Sequence, residues 1–474
     1  MKKYLLTCIA LATLWSCQKD EQYENLNNDP KNPKNVSAGF LFTAATVSLS
    51  DQMQSPNVNL NIFRFISQYL TATTYLDEPN YDLNTRNIAD NHWSELYRDV
   101  IFDLKDAKTR VQNNALLTED ERKARIGQIE VVEIYAWQIL VDTYGDIPYT
   151  EALNIMEFPL PGYDDDAAIY EDLISRLTAV RENFQAGEGF SASDMIYHGD
   201  MVKWEKFANS LLLRMGMRLA DVNPGLSQTA VNAAITGGVF ESNTDNAIVV
   251  YAPTFPNTNP LWEDLVQSGR SDYVLANTIV DYMVSLSDPR MTTYFDDNLS
   301  GGYSGGEYGA SSAFSTHTHM GEAFYDPTIP GILLDYAEIQ FYLAEAAQRG
   351  GYATTMTAEQ HYDEAVTASI LYWNGTTAEA TTYLGQADVA YDGTPEQLAT
   401  QFWIAMFNNP FQGWSVWRKF DAPTLNVAAE SGLPVPLRYT YPISEQNLNP
   451  TNYNAASSAI GGDEQQTPVF WDVP

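Results

Sequence analysis

The sequence predicts a mainly α-helical protein, one large domain of recurring helical hairpins interrupted by long irregular inserts. Three observations predict it. Apolar residues recur at steps of three and four in many segments, which marks one face of an α-helix. Several such segments come in pairs, with capping residues at their starts and glycine at their ends. Between the pairs lie long stretches rich in Gly, Pro, Asn and aromatic side chains that follow no period.

The first 16 residues read as a signal peptide. Lys2-Lys3 is a basic start, and Tyr4 to Trp15 is an apolar run too short to span a membrane stably. Leu14-Trp15-Ser16-Cys17 resembles a bacterial lipoprotein cleavage box, with Cys17 as the lipidated residue. A plain secretory signal cut near Ser16 is the alternative. Gln18-Lys19-Asp20-Glu21 resembles the acidic signal that sends lipoproteins of Bacteroidota to the outer face of the cell. Residues 17–37, rich in Asn, Pro and Lys, read as a lipid-anchored tether, and 38–474 as a single domain.

Within that domain, helical spacing appears at 40–53, 59–72, 92–112 and 120–143. Asp164-Asp165-Asp166 precedes a further stripe at Ile169, Leu173, Leu177 and Val180. Three adjacent carboxylates invite a calcium reading, but helix N-capping is the commoner cause. Helices follow at 201–220 and 273–286, with a short strand at 247–251. Residues 296–326 carry Gly and aromatic side chains without period, and a stretch this long is functional or disordered.

The hairpin at 332–373 is the clearest in the chain. Ile332, Tyr336, Ile339, Leu343 and Ala346 share a face, Glu345 and Arg349 are spaced for an ion pair, and Gly350-Gly351 ends the helix. Thr357 and Gln360 spell a capping box for the second helix. Tyr362-Asp363-Glu364-Ala365-Val366 resembles the second helix of a tetratricopeptide repeat. Helices at 395–408 and 411–420 precede a proline-rich tail.

Charge and composition exclude several functions. The chain has 26 basic and 61 acidic residues, a formal net charge of −35, and no basic run that would offset it. Such a field repels nucleic acid, so no nucleic-acid partner is expected. The only cysteines are Cys8 and Cys17, which leaves the body without a disulfide or a thiolate metal site. No hydrolase, zinc-protease or phosphate-loop motif stands in a strand-to-helix context. His317 and His319 are a possible metal pair without a third ligand pattern nearby. No catalytic residue, metal or cofactor is expected.

The chain resembles the SusD/RagB family of outer-membrane nutrient-binding lipoproteins. The matching stretches run in order: Asn27 to Pro33, Tyr144 to Tyr149, Trp204 to Leu211, Asp288 to Met291, the 334–349 helix, Gly413 to Arg418, and Tyr441 to Asn447. The resemblance implies a tetratricopeptide-like helical body whose inserted loops form the binding face. It implies capture of an oligosaccharide at the cell surface without catalysis, and a SusC-like TonB-dependent transporter as partner. A peptide or other nutrient ligand, or a surface glycoside hydrolase, are the alternative functions. The matching stretches themselves read as scaffold, and Trp414 and Trp417 as core spacing.

Sugar binding calls for exposed aromatic faces beside amides, carboxylates and guanidinium groups. Two loop segments carry them. The first, 74–87, offers Tyr75, Asn80, Tyr81 and Arg86. The second, 255–325, offers Asn257, Trp262, Tyr273, Tyr303, Tyr308 and Tyr325. Packing of these side chains onto the body is an equal alternative for each.

Overall fold

The computed structural model describes residues 36–184 and 187–473. The expected signal peptide, Cys17 and the tether as far as residue 35 lie outside the described residues. The main helices are α1 (Ala38–Gln54), α2 (Phe102–Asn113), α3 (Glu119–Tyr144), α4 (Asp166–Val180), α5 (Met201–Arg218) and α6 (Pro224–Gly237). They continue with α7 (Asn277–Ser285), α8 (Tyr336–Arg349), α9 (Ala358–Tyr372), α10 (Thr377–Leu384), α11 (Pro395–Ala405), α12 (Pro410–Phe420) and α13 (Pro450–Ala459). Ile88–Ser94 and a π-helical stretch, Glu95–Ile101, lead into α2 without a break.

Sequential helices pack on one another: α2 on α3, α3 on α4, α5 on α6, α8 on α9 and α11 on α12. Their starts follow the sequence. Thr118 and Thr357 form the capping boxes that open α3 and α9, and Asp165 caps α4 by accepting from the Ala168 N–H at 2.9 Å. Arg349 Nε donates to Glu345 at 2.7 Å on the last turn of α8.

The deepest helix is α3. Every residue from Val131 to Tyr144 is buried, including Glu133, Gln138, Asp142 and Thr143, so the helix is enclosed all round rather than on one stripe. One continuous apolar core surrounds it, with Trp204, Trp403 and Trp414 fully enclosed. The resemblance-bearing stretches build this scaffold. Arg438 Nη2 donates to the Tyr144 carbonyl at 2.7 Å, Tyr441 Oη donates to the Asp146 carbonyl at 2.9 Å, and the Arg418 guanidinium stacks over Trp414 with its Cζ 3.7 Å from the ring centroid.

Of the four short strands among the described residues, three correct the sequence reading. The expected 59–72 helix is only Phe63–Ile66; beyond it β1 (Leu70–Ala72) forms a ladder with β3 (Tyr273–Leu275), which also replaces the first turn expected of the 273–286 helix. The strand expected at 247–251 is β2 (Ala247–Val249), paired with β4 (Gly331–Leu334). Ile332 therefore belongs to a strand, and α8 starts only after Asp335, which caps it. Residues 443–459, read as part of a proline-rich tail, contain Ile443–Leu448 and α13.

Candidate functional site

The β1–β3 ladder joins the two loop segments that the sequence singled out. Leu70 opposes Leu275, Thr71 opposes Val274 and Ala72 opposes Tyr273. Thr73 extends the join, its N–H donating to the Asp272 carbonyl and its hydroxyl to the Ser271 carbonyl, each at 2.8 Å. Residues 74–87 thus leave one end of the ladder beside the chain that arrives through Arg270 and Asp272.

A cleft of about 230 Å³ opens there, lined by Asn57, Asn59, Tyr75, Glu78, Arg86, Asp264, Arg270, Asp272 and Tyr273, over Val58, Phe65 and Ala72. Tyr75 is 52% exposed. The guanidinium carbons of Arg86 and Arg270 each lie 5.7 Å from its ring centroid, a cation–π arrangement. Each arginine is oriented by a carboxylate: Arg86 Nε donates to Glu78, and Arg270 Nε donates to Asp272. Tyr273 sets its ring edge-to-face against Phe65, with centroids 5.9 Å apart.

The carboxyl groups of this cleft differ in character. Burial lifts Glu78 above the usual carboxylate range, although Arg86 draws it back. Burial pushes Asp264 up to about 6; the Asp272 carboxylate adds to the rise and Arg270 opposes it. Asp264 Oδ2 is buried without a hydrogen-bond partner among the described residues. The cleft therefore offers an exposed aromatic face, two fixed guanidinium groups, two amides and a carboxyl with hydrogen-bonding capacity in hand.

Of the expected residues, Tyr75, Arg86 and Tyr273 meet in this cleft. Tyr81 and Tyr308 do not stand in an exposed cradle: each is 1% exposed. Their rings lie 6.0 Å apart, Tyr308 Oη donates to the Phe65 carbonyl at 2.7 Å, and Tyr81 Oη accepts from Gln68 at 3.2 Å. Loop aromatics fold inward when the hydroxyl finds a partner. Asn80 is also a structural residue, tying the Leu76 and Gly309 carbonyls through Nδ2 at 2.8 Å each and accepting from the Ser431 N–H.

The remaining candidates lie elsewhere. Asn257 is exposed and Trp262 half-buried, and neither lines the cleft. Tyr303 is half-buried with its ring edge-on to Phe295 at 5.2 Å. Tyr325 is half-buried, and burial with Asp296 nearby pushes its phenol up to about 12. Sequence reasoning passed over Asn57, Asn59, Asp264, Arg270 and Asp272. The pattern Arg270-x-Asp272 immediately before Tyr273, a cation and a carboxylate beside an aromatic ring, was the available signal.

Other candidate chemistry has local explanations. His317 Nδ1 and His319 Nε2 each lie 2.8 Å from a backbone carbonyl, of Ala313 and Phe314. Asp146, Asp165 and Asp166 bring one carboxylate oxygen each within 4.8 Å of one another. Asp165 is engaged as the cap of α4, and Asp146 accepts from the Asp166 N–H at 3.0 Å.

Comparison with known proteins fits this architecture. Residues 30–442 match the SusD-like family described as starch-binding and associating with the outer membrane. The fold is similar to that of a chitin-binding protein, with a TM-score of 0.80 and 24% identity over 92% of this chain and 100% of the other. It is also similar to a chitin-binding SusD homologue from Flavobacterium johnsoniae, with a TM-score of 0.78 and 22% identity over 92% and 98% of the two chains. A SusD homologue from Bacteroides thetaiotaomicron gives a TM-score of 0.78 at 22% identity, covering 92% and 99%. No curated relative matches the chain. With a family match that spans most of its length and a helical body shared with solved SusD homologues, the chain belongs to the SusD-like family of outer-membrane-associated proteins.

Proposed function

We propose that this protein captures an oligosaccharide at the cell surface, in the cleft around Tyr75, and passes it to a SusC-like TonB-dependent transporter without cleaving it. The observation that carries the binding site is Tyr75, an exposed ring flanked by two guanidinium groups that are each held by a carboxylate. The C–H face of a pyranose lies flat on such a ring, and its rim hydroxyls accept from fixed N–H groups and donate to carboxylates. The family description supports a sugar ligand and an outer-membrane location. The resemblance of Leu14 to Cys17 to a lipoprotein cleavage box supports a lipid anchor, which leaves the protein no route of its own for moving ligand inward.

One observation favours a hydrolase as second reading. Asp264 and Asp272 line the same cleft, and burial raises Asp264 to about 6, so these are the two carboxyl groups a hydrolase would use. The pairing of Asp272 with Arg270 speaks for binding instead.

Titration calorimetry with chito- and malto-oligosaccharides, followed by mass spectrometry of the ligand, tests the proposal. Binding with every ligand recovered intact supports it. Turnover lost in Asp264→Asn would establish the hydrolase. Detergent extraction of the native protein together with a barrel-sized partner tests the hand-off, and recovery of the lipoprotein alone counts against it.

A further inference from the structure

A second cleft opens beside Pro330 and Tyr372. It has a volume of about 470 Å³, and its lining includes Glu322, Asp326, Pro330, Tyr372 and Asn374. Tyr372 is half-buried at the end of α9 and meets the buried Trp373 edge-on, with centroids 5.2 Å apart at 87°. Asn374 follows with φ 67° and an exposed side chain. The exposed residues Glu322 and Asp326 line the same cleft. An aromatic ring, an amide and acceptor carboxylates around an open groove repeat the chemistry of the Tyr75 cleft.

One segment, 259–264, runs from a residue bonded to the lining of the second cleft to a residue that lines the first. Asn259 Nδ2 donates to the Ile329 carbonyl at 2.8 Å, and its N–H donates to the Pro327 carbonyl at 2.9 Å. That fixes Asn259 beside Ile329 and Pro330 of the second cleft. Five residues further along the same helical segment, Asp264 lines the first cleft. The step runs through the α-helical turn Pro260–Trp262 into the π-helical stretch Glu263–Gln267, and even at the α-helical rise of about 1.5 Å per residue it is no more than about 8 Å. Trp262, within this segment, is half-buried.

We propose that the Tyr372 cleft is a second sugar subsite, filled by the same linear chain that occupies the Tyr75 cleft. The ligand is then an oligosaccharide long enough to cross the Asn259–Asp264 segment, and short sugars engage only the first cleft. This deepens the proposed function and rests on it. The bland reading of the groove is a gap left by surface packing, and ligand length separates the two.

The test is calorimetry on the full-length protein with two probe series, chito-oligosaccharides from dimer to hexamer and malto-oligosaccharides from dimer to heptamer. Affinity in one series should rise at least tenfold between its shortest and longest members. Tyr372→Ala should remove that rise and leave dimer binding unchanged. Asn374→Gly deletes the amide at a backbone conformation that glycine adopts freely, so it keeps the fold and should lower affinity only for the longest probes. Tyr75→Ala should weaken every length. Flat affinity with length, or variants at 372 and 374 that are neutral for the longest probe, overturns the second subsite and leaves the first standing. Equal weakening of short and long probes by Asn374→Gly overturns it as well. A neutral Tyr75→Ala, or no binding by either series, brings down the sugar site itself and this proposal with it.

Discussion

Arg214 Nε and Nη2 donate to the two carboxylate oxygens of Glu338 at 2.7 and 2.9 Å, and both side chains are wholly out of water. The pair joins α5 to α8 in the centre of the helical body. Removing one partner leaves the other charge buried and alone, which costs about 3–5 kcal/mol. Glu338→Ala should therefore lower the urea midpoint sharply. The double change Arg214→Met with Glu338→Leu should cost much less, because no stranded charge remains. Equal losses in the single and the double variant would locate the cost in packing instead.

Tyr75 and Tyr81 separate binding from stability. Tyr75 stands exposed in the cleft, so Tyr75→Ala should weaken oligosaccharide binding on the order of thirtyfold, about 2 kcal/mol, with an unchanged melting temperature. Tyr81 is enclosed, and its truncation should cost about 3–5 kcal/mol of stability, as deletion of a buried aromatic does. Calorimetry and thermal melts on the two variants check both halves. Loss of binding in a well-folded Tyr81→Ala protein with none in Tyr75→Ala would reverse the assignment.

Stability should fall as pH rises from 6.5 to about 8. Burial lifts Asp51, Asp166 and Asp335 from the usual 3.8 to about 7; Asp146 adds to the rise at Asp166, and Glu338 to that at Asp335. The native state therefore holds protons that the unfolded chain has already lost, and this advantage disappears as pH passes 7. His92 and His361, depressed by burial to about 3 and about 4, act in the opposite sense, but only below 6.5. Urea midpoints at the two pH values measure the difference, and Asp51→Asn should flatten part of the slope. A protein that gains stability over this interval would contradict the assignment.

Surface display should depend on Cys17. Replacing it with Ala removes the residue that the cleavage-box resemblance marks for lipidation. Protease shaving of intact cells should then release or lose the protein. A variant that stays cell-bound and shaveable would rule out this anchor.

The helices were legible where their ends carried chemistry. Thr357 announced α9 to within a residue or two, because a capping box is a local pattern; the same box at Thr118, which opens α3, went unused. The α6 helix escaped notice because its buried stripe of Ser227, Ala230, Val231 and Ala234 is made of small residues. The apolar run of 59–72 misled for the opposite reason. Burial on all sides erases the period that separates a strand from a helix, and β1 has only three residues. In the site, Tyr75, Arg86 and Tyr273 could be picked out as aromatic and basic residues outside any stripe. Tyr81 and Tyr308 had the same credentials and turned inward, since which loop rings find a buried hydroxyl partner is decided by distant residues such as Gln68 and Phe65.

The rungs between Leu70–Ala72 and Tyr273–Leu275 are made by main chain alone. They are indifferent to the side chains of the segments that leave them. Either segment can lengthen, shorten or change its composition while the floor between them stays in register. The protein is in this sense a fixed mount with two exchangeable segments, and refitting them leaves the packing of the helices beneath untouched.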